Sequence, residues 1–231
     1  MKPLFRITIG PVQEWGVKLL RKNVRLLKRN YPEAEIVVCF NQIDPDSLQV
    51  DVETINQADF AETLPYSPVA ETWKLYPPRL RQDRHEIVFD NDILIFRRVP
   101  EIDEFLRSDR PLLFNGRTRV YGKYEKFVPQ PFAINSGIFG LPPHFDFQQE
   151  IQEFIKNDEE KKWTDWCDDQ GVVGGILLPR NPIFIKLESV MNYLSDFNFQ
   201  PKSHWNGIHM IGANRNKACM DIVKQILSSE K

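Results

Sequence analysis

The chain has 231 residues, 42% of them apolar and 27% charged, with a formal net charge of −2. That length suits one α/β domain, residues 1–231, with a sizeable core. The composition excludes a disordered chain, a membrane-embedded one and a polycation built to hold nucleic acid.

Leu4 to Ile9 is a short β-branched run closed by Gly10-Pro11, the pattern of a buried first strand ending in a turn. Val17, Leu20, Val24 and Leu27 then recur at helical spacing, with Lys18, Arg21, Lys22, Arg25 and Lys28 between them. Pro32 ends that helix, and Glu35 to Phe40 completes a strand, helix, strand unit of the kind that builds parallel sheets. Val50, Val52 and Ile55 suit a short strand, and Ala58 to Thr63 the start of a helix. After the Trp73, Tyr76 and Pro77-Pro78 segment, His85 to Phe89 reads as a strand that runs through Asp90-Asn91-Asp92 into Ile93 to Phe96. Further on, Glu101 to Leu106 suits a helix, Pro111 to Phe114 a strand, and Phe132 to Leu141 an apolar segment holding Asn135-Ser136-Gly137. Phe147 to Ile155 is an amphipathic helix, Ile183 to Leu187 and Tyr193 to Phe199 suit strands, and Asn216 to Leu227 a closing helix.

Three cysteines, Cys39, Cys167 and Cys219, are odd in number and far apart, which argues against a disulfide framework or a paired zinc site. Met1 to Gly10 lacks the long apolar stretch of a secretory signal, and no later stretch is long enough to span a bilayer. The cytoplasm is the expected compartment.

Asp90 and Asp92 fall where the chain leaves a buried strand. Carboxylates set among apolar flanks are costly without a cation or donors, and hard divalent cations prefer oxygen ligands. Ligands of open α/β sheets also bind beyond the carboxyl ends of the strands. A polar strand end is the competing reading of the same residues.

A βαβ start, a strand ending in Asp90-Asn91-Asp92, the later Asn135-Ser136-Gly137 and a His-x-x-Gly near the C-terminus together resemble the GT-A class of glycosyltransferases. The likeness is greatest to the glycogenin-like and bacterial lipooligosaccharide galactosyltransferase-like families. It implies a GT-A-like three-layer sandwich with a mostly parallel central sheet. By that resemblance Asp90, Asp92 and His209 hold Mn2+ or Mg2+, and the metal holds the diphosphate of a nucleotide-sugar donor, UDP being the expected nucleotide. His209-Met210-Ile211-Gly212-Ala213-Asn214-Arg215 fits the His-x-x-Gly-x-x-Lys spacing with Arg215 in the lysine's place, and arginine also binds phosphate. His204-Trp205-Asn206-Gly207 is a second register, with Met210 at its phosphate position. Asn216-Lys217 replaces the Pro-Trp that follows in glycogenin-like sequences, so the likeness is to the broader class.

The same resemblance assigns donor contacts to Thr8, Ile9 and Gly10 at the first strand's end, to Arg79 with Arg81 and Lys74 nearby, and to Asn91. Asn135, Ser136 and Gly137 approach the donor sugar, Gly212 and Arg215 the phosphates, and Asp168, Asp169 and Gln170 face donor and acceptor hydroxyls. If the reaction inverts the anomeric centre, Asp168 or Asp169 is the expected base; a helix N-terminus is the competing reading of these acids. The partners implied are a nucleotide sugar and a hydroxyl acceptor: glycan, lipid or small molecule. Two rival readings share these residues. One is a haloacid-dehalogenase-like phosphatase with Asp90 as nucleophile and Asp168-Asp169 as its second acidic pair. The other is a non-catalytic nucleotide-sugar-binding module.

Overall fold

A computed structural model of the protein describes residues 2–194 and 204–211. β1 (Leu4–Ile9) is buried along its length and leads into α1 (Glu14–Asn30). α1 turns Val17, Leu20, Val24 and Leu27 inward and leaves Lys18, Arg25 and Lys28 exposed, as the 3.6-residue period dictates. Glu14 in its first turn and Lys28 and Arg29 in its last complement the helix dipole. β2 (Glu35–Phe40), α2 (Pro45–Leu48), β3 (Glu53–Asn56) and β4 (Glu86–Asp90) follow. After β4 come β5 (Ile93–Ile95), α3 (Pro100–Phe105), β6 (Leu112–Asn115), β7 (Ile134–Leu141) and α4 (Phe147–Ile155). α5 (Asp168–Leu177), β8 (Ile183–Ile185), β9 (Val190–Leu194) and β10 (Gly207–Ile211) complete the described elements.

Seven strands form the central sheet in the order β3-β2-β1-β4-β7-β6-β8, and only β7 runs against its neighbours. Successive side chains of a strand point to opposite faces. Phe5, Ile7, Ile9, Ile87 and Phe89 therefore share one core with α1, while Val88, Leu113 and Phe139 join α4 and α5 on the other face. Each fully buried Phe, Leu or Ile contributes about 1.5–3 kcal/mol. The result is the expected three-layer sandwich with a mostly parallel sheet. A second, three-stranded sheet has the order β5-β10-β9, with β10 antiparallel to β5 and parallel to β9.

The run from His85 to Phe96 is not one interrupted strand. β4 ends at Asp90 in the large sheet, the chain turns through Asn91-Asp92, and β5 enters the small sheet beside β10. An apolar run reveals burial but not which sheet buries it. Asp168 and Asp169 form the start of α5, the Ala58 region forms only a 3-10 turn at Gln57–Phe60, and the strand expected from Tyr193 begins earlier, at Val190. The expected Asn216–Leu227 helix lies outside the described residues. Among the described residues no helix is long and apolar enough to cross a membrane.

Parallel pairing sets Thr8 of β1 opposite Asp90 of β4, so these strands finish on one edge. Because β7 is antiparallel, its beginning reaches the same edge, where Phe89 pairs with Ile138.

Candidate functional site

Asp90 closes β4 and Asp92 is the second residue of the turn that follows, while Asn91 points the other way and donates from Nδ2 to the Gly16 carbonyl at 3.4 Å. β10 delivers His209 to the same place. His209 is in register with Ile93, and the next amide, Met210 N, donates to the Asp92 carbonyl at 3.0 Å. Nε2 of His209 lies 3.3 Å from Asp92 Oδ1. Asp90, Asp92 and His209 each offer a ligand atom within 4.8 Å of the others. Asp92 and His209 are buried, whereas Asp90 is partly open.

Two features suit this group to a divalent cation. Asp92 Oδ1 is buried without a hydrogen-bond donor, a costly state for a carboxylate oxygen. Among the described residues the edge also carries Asp90, Asp92 and Asp169 against one buried ammonium, that of Lys74, which sits 2.7 Å from Asp90 Oδ1 and 3.2 Å from Asp169 Oδ2. A divalent cation would balance the two remaining negative charges, and carboxylate oxygens are ligands that suit Mn2+ or Mg2+.

Lys74 lies on a 3-10 helix, Ala70–Leu75, whose entry is clamped by Thr72 Oγ1 donating to the Val69 carbonyl and accepting from Val69 N. Burial pulls the Lys74 pKa down, but Asp90 and Asp169 outweigh it and hold the ammonium above its ordinary value. Residues three apart eclipse on a 3-10 helix, so Glu71 stands on the same face as Lys74. Desolvation raises the Glu71 carboxyl pKa, and Asp169 and Asp90 add to the rise.

α5 holds the other side of the edge. Asp169 Oδ2 accepts from Ser136 Oγ at 2.7 Å, and Gln170 Oε1 accepts from Ser136 N at 3.2 Å while its Nε2 donates to the Val120 carbonyl. The β6–β7 ladder slips between Leu113 and Phe114, which aims Asn135, Ser136 and Gly137 at the end of β4. Gly137 is needed there because a Cβ would stand 2.6 Å from His209 Cε1 and 2.7 Å from Asn135 Oδ1. Asn135 Oδ1 in turn accepts from Gly137 N at 2.8 Å. Thr8 Oγ1 donates to the Phe89 carbonyl and reaches Asp90 Oδ1 at 3.4 Å. Ile9 turns its side chain into the core, and Gly10 lies against the Asn41 amide.

Four expected site residues are occupied elsewhere. Arg79 is at the opposite end of the sheet, where it donates to the carbonyls of Pro142, Phe145, Arg81 and Arg84 and faces Glu86. Arg81 goes to the same end, bound to Glu35 and Glu53. Arg79 is five positions after Lys74, enough for the chain to cross from one edge to the other, and it is Lys74 that stays at the carboxyl edge. Asn91 is engaged by α1. Asp168 is a loop clamp: its oxygens accept from Lys123 N, Thr164 N, Thr164 Oγ1 and Asp165 N, and it is fully buried. Those four donors and its burial commit Asp168 to holding the loop. His204, the alternative histidine, is exposed. Gly212 and Arg215 lie outside the described residues. Lys74, weighted below Arg79 by the sequence, and Glu71 and Asn192, which gave no signal there, belong to the site instead.

No family model and no curated protein matches the sequence. Solved structures do share its fold. The galactosyltransferase LgtC, solved with donor and acceptor sugar analogues, is 10% identical with a TM-score of 0.57 over 90% of this chain and 86% of that one. The bifunctional glycosyltransferase WbbM is 12% identical with a TM-score of 0.63, over 90% of this chain and 45% of that one. Mouse xyloside xylosyltransferase 1 is 12% identical with a TM-score of 0.56, over 94% of this chain and the whole of that one. At such identities the likeness is one of fold, and the fold is that of GT-A glycosyltransferases.

Proposed function

We propose that this chain is a metal-dependent glycosyltransferase that moves a hexose from a nucleotide diphosphate sugar, with UDP as the nucleotide, to a hydroxyl acceptor. The observation that carries the reading is the Asp90, Asp92 and His209 group, negatively charged in excess, at the carboxyl edge of a sheet of the GT-A type.

Breaking the bond between an anomeric carbon and a diphosphate builds negative charge on the departing oxygen. Asp90, Asp92 and His209 would hold Mn2+ or Mg2+, which would stabilise that charge electrostatically. Lys74 is the cationic side chain beside Asp90 and takes the role expected of Arg79. Thr8 and the backbone at Gly10 border the nucleotide, with Ile9 serving as a core anchor. Asn135, Ser136 and Gly137 present backbone and amide groups to the donor sugar, and Asp169 with Gln170 fixes that segment from behind. Gly212 and Arg215 retain the phosphate role that their spacing after His209 suggests.

The phosphatase reading needs a second acidic pair facing Asp90, and Asp168 is committed to four hydrogen bonds away from it. The binding-module reading differs from ours in turnover alone. Incubating the protein with UDP-glucose and UDP-galactose, Mn2+ and a panel of sugar acceptors, and following UDP release, separates the two. Release that stops on chelating the metal supports the transferase. Tight donor binding with no release under any acceptor identifies a binding module.

A further inference from the structure

The three-stranded sheet aligns Asn192 of β9 with His209 of β10, and His209 with Ile93, the neighbour of Asp92. Asn192 is fully buried. Its Nδ2 lies 2.9 Å from the Asn115 carbonyl at the end of β6, and its Oδ1 lies 3.1 Å from His209 Nδ1. A backbone carbonyl only accepts, so the amide atom facing Asn115 must be the NH2 group. The atom facing His209 is then the oxygen, which also only accepts. Nδ1 of His209 must therefore carry a proton, and in the neutral ring Nε2 is left with its lone pair. That lone pair and the unpartnered Asp92 Oδ1 face each other across 3.3 Å. Two acceptors at that distance repel unless a proton or a metal cation lies between them.

We propose that Asn192 is a positioning residue that fixes the His209 tautomer, keeping Nε2 deprotonated for metal binding through a relay that runs from Asn115 to Asn192, His209 and Asp92. It rests on the metal-dependent reading above only for the identity of the cation. The relay also ties the small sheet to the large one, since Asn115 belongs to the central sheet and His209 and Asn192 to the other. Outer partners of metal-bound histidines act in this way, and their loss typically weakens metal affinity about 10–100-fold.

The test uses two variants and two measurements. Asn192→Leu removes both the acceptor for Nδ1–H and the donor to Asn115, whereas Asn192→Asp removes the donor but keeps an acceptor. With 15N-labelled histidine in the metal-free protein, at a pH where the ring is neutral, NMR should find Nδ1–H for His209 in the wild type and in Asn192→Asp. In Asn192→Leu the proton should move toward Nε2. Mn2+ titrated in the presence of UDP and followed by electron paramagnetic resonance should bind Asn192→Leu about 10–100-fold more weakly than wild type, with Asn192→Asp between them. A purely structural role through Asn115 predicts equal losses in the two variants. Equal losses, or Nε2–H in the wild type, would overturn the proposal. If the wild type binds no Mn2+, the metal-dependent reading fails, and the NMR result still decides whether Asn192 sets the tautomer.

Discussion

Buried charge gathers at both ends of the central sheet, and the two ends handle it differently. At the amino edge, Arg6 pairs with Glu86 at 2.9 Å and donates to the Pro77 and Pro78 carbonyls, while Leu80 N donates to the other oxygen of Glu86. Glu35 is held by Arg81 and Arg84. Cations there are at least as numerous as the carboxylates they meet. At the carboxyl edge, among the described residues, one ammonium pairs with Asp90 and Asp169 while Asp92 Oδ1 has no hydrogen-bond donor. At the first end opposite charges match in number, although Glu86 Oε1 and the Nε atoms of Arg6, Arg79 and Arg84 also lack hydrogen-bond partners; at the second the described residues leave an excess of negative charge. Buried charge alone thus does not mark a site; an unbalanced set does.

The largest effect should come from the balanced end. Replacing Glu86 with Gln leaves Arg6 buried without its counter-charge and should cost about 3–5 kcal/mol of stability, read by urea denaturation, with UDP affinity unchanged in the folded fraction. A variant as stable as wild type would erase the contrast.

Next comes the unbalanced end. Asp90→Asn should lower UDP-sugar turnover about 100–1,000-fold, the scale of losing an electrostatic stabiliser, without the destabilisation seen at Glu86. Gly137→Ala should act more gently. Its methyl enters the space of the His209 ring, so Mn2+ affinity should fall about 10-fold, as for a displaced metal ligand, measured by titration with UDP present.

The smallest effect is a pH dependence at Glu71. Its folded-state pKa is raised above the ordinary 4.5 by desolvation and by Asp169 and Asp90. A raised pKa means that the stabilising contribution is fully present below the unfolded value and is lost as pH rises through the folded value. Comparing unfolding temperatures from pH 4 upward, the wild type should lose stability relative to Glu71→Gln. Solvent screening keeps that difference small, because the side chain is exposed. Parallel curves for the two proteins would place Glu71 away from the acidic edge.

Much of this contrast was legible in the sequence, for physical reasons that also set its limits. β1, α1, β2 and β4 declare themselves because hydrophobic period follows burial, and the Asp90 and Asp92 pair declares itself because acids at a buried strand's end need an explanation. His209 was within reach through its spacing to Gly212 and Arg215. Sheet membership was not legible, since β5 looks like a continuation of β4. Nor was the division of labour among Lys74, Arg79 and Arg81, which emerges only when the path of the chain sends the lysine to one edge and both arginines to the other. Asp168 and Asp169 are adjacent and chemically identical, yet the first residue of α5 clamps its own loop and the second meets Lys74 and Ser136. Asn192 gave no signal, because its role exists only through cross-strand pairing with a residue 17 positions away.

The central claim is that the carboxyl edge binds a nucleotide diphosphate through a metal, and isothermal titration with UDP tests it most directly. The account predicts binding by the wild type in Mn2+, loss of that binding in chelator, and no metal-dependent binding by Asp92→Ala. Binding indifferent to both metal and mutation, or no binding at all, would contradict it and return Asp90-Asn91-Asp92 to a polar turn.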